Sequence, residues 1–152
     1  MRSLGAKRNF LNSQAQGDWI AHWDDDDWSA PDRLERQIAE SKTDVFGFRS
    51  ALFWDEPTVQ AYRYEGTGLY VIGSSLMYRR SHWEVHRFEG LNEGEDNGFV
   101  QIARGINQLT ALDGRLSMVA TSHSGNTSRR QYHTKQWRKI DRSEIPEAYF
   151  ET

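Results

Sequence analysis

Trp19-Ile-Ala-His-Trp23 runs directly into Asp24-Asp25-Asp26-Asp27 and Trp28, and the chain is best understood outward from that stretch. Five residues of strand composition end in four consecutive carboxylates, and Ser29 and Pro31 then mark a helix start. In an extended strand alternate side chains share a face. The pattern therefore predicts Asp24 and Asp26 on one side, with Asp25 and Asp27 opposite. Paired carboxylates repel and raise each other's pKa, and a bound divalent cation reverses that penalty. Magnesium and manganese suit such a place, taking one or two protein carboxylates and filling their shell with water and phosphate oxygens. On spacing alone, a solvated acidic turn before a helix explains the residues at least as well, because Asp favours helix N-termini.

The chain has 152 residues, which suits one domain around one core. Hydrophobic content is low at 37%, but 7 Phe, 6 Tyr and 6 Trp supply large areas to bury. Charged residues make up 27% with a net charge of -3, a balance that argues against a nucleic-acid partner and against a disordered acidic tail. There is no cysteine, so disulfides and thiolate metal sites are excluded, in keeping with a reducing cytoplasm. No apolar run approaches the ~20 residues of a membrane span, and the N-terminus lacks a signal-peptide core. A soluble, single-domain chain is expected.

Residues from about Ala6 to Gln16 are predicted helical, with Phe10, Leu11 and Ala15 facing inward and Gly17 as the stop. Arg8 near its start is either an anion contact or a solvated side chain. A second helix is expected from about Ala30 to Ser41, with Ser29 or Ala30 as N-cap and Leu34 and Ile38 one turn apart. Asp44–Trp54 has the composition of a buried strand, with Val59–Tyr64 returning as its hairpin partner. Gly73-Ser74-Ser75 inside the apolar run Leu69–Tyr78 marks either a close backbone approach or a bulge.

Ser81-His-Trp-Glu84 has capping-box spacing, predicting a short helix that begins there. Glu95-Asp96 open a further helix that Gly105 closes, so Asp96 sits at a helix N-terminus, where its plain role is a cap. Leu109–Leu112 and Leu116–Thr121 flank Asp113-Gly114, a strong hairpin signal. His123-Ser-Gly-Asn-Thr-Ser128 forms a polar turn. Arg129 to Lys139 is basic and aromatic, the composition of a solvated helix face or of a flap over phosphates.

Taken together, Ser3-Leu-Gly-Ala-Lys-Arg-Asn9, Gly17-Asp-Trp-Ile-Ala-His-Trp-Asp-Asp-Asp-Asp27, Pro31, Leu34 and Gln37 resemble the middle of a family 2 glycosyltransferase. The similarity continues through Gly73-Ser-Ser-Leu-Met-Tyr-Arg-Arg80, Gly94-Glu-Asp96 and His123-Ser-Gly-Asn-Thr-Ser128. It covers roughly residues 3 to 128, leaving 129–152 as a C-terminal tail. The resemblance implies the GT-A fold, a Rossmann-like α/β arrangement of a mixed sheet flanked by helices. It also implies an inverting, metal-dependent transfer from a nucleotide-diphosphate sugar to a glycan or lipid-linked acceptor.

In that family an Asp-x-Asp motif holds Mn²⁺ or Mg²⁺ against the donor diphosphate. The resemblance places Asp26 as direct ligand, Asp24 at the ribose or metal shell, and Asp25 and Asp27 beside them. The family's base lies in a Glu-Asp pair matching Glu95-Asp96, with Asp96 the base. Arg8 matches a nucleotide contact, Gly73 lies in the substrate-facing loops, and His123 matches a position that completes the metal site in some relatives. An imidazole there favours Mn²⁺.

Family members normally begin with a βαβ unit that grips base and ribose, and Met1 lies just before the helix that follows it. An exposed sheet edge and self-association are expected in consequence. Two alternatives follow: a non-catalytic remnant acting as an interaction module, or a metal-dependent hydrolase using the same carboxylates. A cytoplasmic location is expected, with peripheral membrane association as the variant.

Overall fold

The computed structural model describes residues 3–126 and 130–151. Thr127 and Ser128 of the polar turn, and Arg129 of the basic segment, lie outside the described residues, as does the expected boundary between them.

A mixed sheet of eight strands forms the body, organised by one long central strand, β3 (Val45–Asp55). Its first half pairs antiparallel with β5 (Met77–Arg79), and its second half pairs antiparallel with β4 (Gln60–Glu65). The hairpin joining β3 and β4 through Asp55-Glu56-Pro57 is as expected. Along the other flank run β6 (Leu109–Asp113) and then β7 (Met118–Ser122), both parallel to β3. The strand β1 (Trp19–Ala21) adds to β5 and ends the sheet, and β2 (Trp28–Ser29) adds to β7.

The Asp113-Gly114 hairpin does not form. β6 and β7 each pair with β3 instead of with one another, so 114–117 is a jog between two strands lying end to end. Gly114 makes the jog possible by seating on Phe48: a Cβ there would meet the Phe48 ring at 2.3 Å. The local turn signal was sound, but β3 offered each strand a longer, buried partner than the other could.

β3 reads as an uninterrupted buried run apart from Arg49, as a strand covered on both faces should. Val45 faces a cluster with Tyr78 of β5, Trp83 of helix α3 (Arg80–Val85), Phe88 beyond it, and Phe99 of helix α4 (Glu95–Gly105). Phe46 and Phe48 face the opposite side, with Met77, Leu112 and Met118. Each buried Phe contributes roughly 2–3 kcal/mol. The basic, aromatic segment is not helical where it is described, and its Arg130 lines a cleft with Asp24, Asp26 and Asp96. It supplies β8 (Trp137–Ile140), antiparallel to β4, and Trp137 packs on Phe53 and Tyr64. Paired backbone and ring burial outweigh the charge of Arg138 and Lys139, which stay exposed.

The helices differ most from expectation in which face they bury. Helix α1 (Leu4–Gln14) buries Gly5 and Asn12, while Phe10 and Leu11 are 51% and 65% exposed. It docks by hydrogen bonds: Asn9 donates to Phe88 O at 2.8 Å and accepts from Trp83 Nε1, and Asn12 meets the Tyr78 hydroxyl at 2.8 Å. Helix α2 (Arg33–Glu40) likewise buries Arg33 and Gln37 and leaves Leu34 and Ile38 more than a third exposed. It begins later than expected because Trp28 and Ser29 are drawn into the sheet as β2. Asp32 takes the cap position without a side-chain cap bond, its carboxylate being engaged by Arg36 at 2.6 Å. The Ser81–Glu84 capping box is also absent, since α3 starts at Arg80, directly off β5. Among the described residues no helix is long and apolar enough to cross a membrane.

Candidate active site

The acidic residues do not continue β1. The chain leaves the strand after Ala21 and turns, with Asp27 N donating to Asp24 O at 3.4 Å. Strand alternation therefore does not apply, and Asp27 joins Asp24 and Asp26 instead of opposing them. Carboxylate oxygens of these three residues all lie within 4.8 Å of one another. Asp25 is outside this group, exposed at a neighbouring cleft that Asp26, Asp27 and His123 also line, with Trp28, Trp54 and Phe150.

His123 closes the cluster, its Nε2 lying 2.8 Å from Asp26 Oδ2. Gly125 N donates to His123 Nδ1 at 3.1 Å, so Nε2 carries the proton and donates to Asp26. Asn126 braces the pair, accepting from His123 N at 2.7 Å and reaching Asp26 with its amide at 3.4 Å. Three carboxylates and an imidazole fit a divalent ion of the Mn²⁺ or Mg²⁺ kind. Engaging it through His123 Nε2 would require the other ring tautomer.

Crowding shows in the charges. Asp27 is pushed up to about 6 by burial and by Asp24 and Asp26, against a hydrogen bond from Thr121 N at 3.0 Å. Asp24 is raised too, chiefly by burial, with Arg8 opposing.

Across a cleft of about 430 Å³ from Asp24, Asp26 and His123 stands Asp96, in the first turn of α4. Burial and adjacent Glu95 raise its pKa, and Arg8 lowers it. Its carboxylate rests on Gly73: a Cβ at that position would sit 2.0 Å from Asp96 Oδ2. Of the two readings left open at Gly73-Ser74-Ser75, the structure has the close backbone approach, made at a single 3-10 turn with Asp96 as its partner.

Glu95 also lines the cleft, paired with Arg8. It is 3% exposed and holds Arg8 Nε at 2.8 Å, while Arg8 also lines the cleft.

Two residues escaped the sequence. His22 is buried between Gly73 O (2.9 Å), Arg8 (3.2 Å) and the Tyr78 hydroxyl (3.2 Å); burial and the two nearby arginines hold it neutral, its pKa down to about 3. Arg33 is 1% exposed beneath the acidic turn. His22 stood beside the acidic run and was legible by position. Arg33 carried no signal, since an Arg on a helix is ordinarily solvated.

Residues 2–51 match the sequence model of glycosyl transferase family 2. That span runs from α1 through the acidic turn and α2 into β3. No curated protein matches the chain. Among solved structures, S. aureus TarS 1-349 is similar, with a TM-score of 0.55 and 20% identity over 78% of this chain. The chain spans 40% of that structure's length. Residues 2–51 are thus similar to glycosyl transferase family 2, and they sit in a mixed α/β sheet whose fold is similar to that of the TarS structure.

Proposed function

We propose that this chain is the catalytic part of a sugar transferase that is metal-dependent and inverting, using a nucleotide-diphosphate sugar as donor and a hydroxyl of a glycan or lipid-linked acceptor. The observation that carries the proposal is one cleft lined by Asp24 and Asp26 of a three-carboxylate cluster, by His123 and by Asp96. Asp24, Asp26, Asp27 and His123 would hold the divalent ion, which supplies Lewis-acid neutralisation of the leaving diphosphate when bound. Arg8, fixed by Glu95, adds a positive charge on the same cleft for a phosphate oxygen. Asp96 takes the proton from the acceptor hydroxyl as that oxygen attacks the anomeric carbon opposite the departing diphosphate. Its burial keeps it a stronger base than a solvated carboxylate. Single displacement from the opposite face gives inversion. Gly73 lets Asp96 settle at the cleft, and Gly73→Ala would push it out.

Calorimetric titration with UDP and GDP, with and without Mn²⁺, tests the donor side. Binding that requires Mn²⁺ supports the proposal, and Mn²⁺-independent or absent binding to folded protein counts against it. Asp96→Asn is expected to spare that binding and abolish transfer. Full transfer by this variant would remove Asp96 from the base role.

A second reading, an interaction module, is favoured by β1, which ends the sheet with one edge unpaired among the described residues. Concentration-dependent association that is lost on placing Pro at Ala21, whose N–H faces the open edge, would support it.

A further inference from the structure

Arg33 occupies a place that stability alone does not recommend. It opens α2, where the helix dipole disfavours a cation, and its burial strips a guanidinium of water at a cost of several kcal/mol. Each of its nitrogens is nevertheless engaged, and the partners come from separate parts of the chain. Nη2 donates to His22 O at 3.2 Å and to Ser74 O at 3.0 Å. Nη1 donates to Ser29 Oγ at 2.9 Å, and Nε to Gln37 Oε1 at 3.1 Å. Gln37 extends the bridge by donating from Nε2 to Ser75 O at 2.9 Å. The Trp23 ring covers the guanidinium at 4.8 Å. Facing it are two carboxylates of the acidic turn, Asp27 and then Asp24.

His22 and Ser29 flank the acidic turn on either side, while Ser74 and Ser75 belong to the turn whose Gly73 seats Asp96. One planar fork therefore spans both walls of the cleft. We propose that Arg33 is a positioning residue: with Gln37, it locks the 22–29 turn and the 73–75 turn in a single register. The carboxylate cluster and Asp96 thereby face the same space. It also offsets the mutual repulsion of Asp24 and Asp27 from beneath, leaving their outer faces to the cleft. This role rests on the transferase reading only in what the register is for. The locking itself is a property of the fold.

Arg33→Lys tests it, because an ammonium keeps the charge but cannot bridge separate carbonyls with a rigid fork. Hydrogen exchange read by mass spectrometry on the whole chain, with a Mn²⁺ titration beside it, supplies two readouts. The expected result is faster exchange in 22–29 and 73–75 together, unchanged exchange in β3, and Mn²⁺ affinity about tenfold weaker. Unchanged exchange in both turns, or an increase spread evenly over the sheet, overturns the proposal. Should Arg33→Lys lose its fold, Gln37→Leu decides by the same exchange pattern, since it releases Ser75 and Nε while leaving the guanidinium in place. If the wild-type chain ignores Mn²⁺ while the paired turns still loosen, the metal reading falls and the locking role stands.

Discussion

Two aspartate-bearing turns follow strands of this sheet, and their electrostatics run in opposite directions. At 113–115, Asp113 accepts from Ser50 Oγ at 2.8 Å and from Arg115 Nε at 2.9 Å. The Arg115 side chain, then its backbone N–H and Ser50, hold the carboxyl down to about 2. At 24–27 three carboxylates converge, Asp27 is pushed up to about 6, and no arginine side chain bonds to them among the described hydrogen bonds. Arg33, the cation beneath, directs its hydrogen bonds to carbonyls, Ser29 and Gln37 instead. A carboxylate serving structure brings its own counterion two residues away. Carboxylates left in mutual repulsion fit the cation site proposed above.

Removing the cluster's centre should have the largest effect. Asp26→Ala is expected to weaken Mn²⁺ affinity about 100-fold or more, with stability within about 0.5 kcal/mol of wild type. Calorimetry and thermal melts check both, and undiminished Mn²⁺ uptake would dissolve the contrast between the turns.

Relieving the repulsion comes next. Asp27 has a folded pKa above its ordinary value of 3.8, so the native state binds the extra proton between about pH 4 and 6. Its contribution is full below that window and is lost as pH rises through it. Asp27→Asn cannot ionise and keeps an acceptor for Thr121 N. With chelator present it should gain about 1–2 kcal/mol at about pH 8, a gain that vanishes near pH 4. Equal melting of the two proteins at the higher pH would show that the cluster carries no strain.

The smallest effect belongs to the satisfied turn. Asp113 has a depressed folded pKa, so its contribution is present above about pH 4 and lost as pH falls toward 2. Asp113→Asn should cost about 0.5–1 kcal/mol near neutrality, discounted because the pair is more than a third exposed. The difference should disappear near pH 2. A cost that persists there would assign the effect to packing at the jog instead of to charge.

Much of this was legible in local pattern. The β3–β4 hairpin, the helix opened by Glu95-Asp96 and the close approach at Gly73 each follow from residues next to one another. The candidate site residues mostly line one cleft, although Asp25 and Asp27 line the neighbouring cleft instead. The misplaced helix faces share one cause. Phe10 and Leu11 were expected to face inward by apolarity, yet α1 docks through Asn9 and Asn12, and α2 likewise docks through Arg33 and Gln37. Periodicity finds a helix, but the buried side depends on what the neighbouring surface offers, and here it offers carbonyls and hydroxyls.

By itself the sequence determined where the chain is extended, where it turns, and that carboxylates, a histidine and a Glu-Asp pair were available. Those are consequences of backbone preference and side-chain chemistry, which act over a few residues. Only the tertiary structure decided that β6 and β7 both serve β3, that Asp27 joins Asp24 and Asp26, and that Arg33 lies buried under them. Each of those outcomes compares a local partner with a distant one, and burial against β3 or a carbonyl 41 residues away wins through contacts that no short stretch contains.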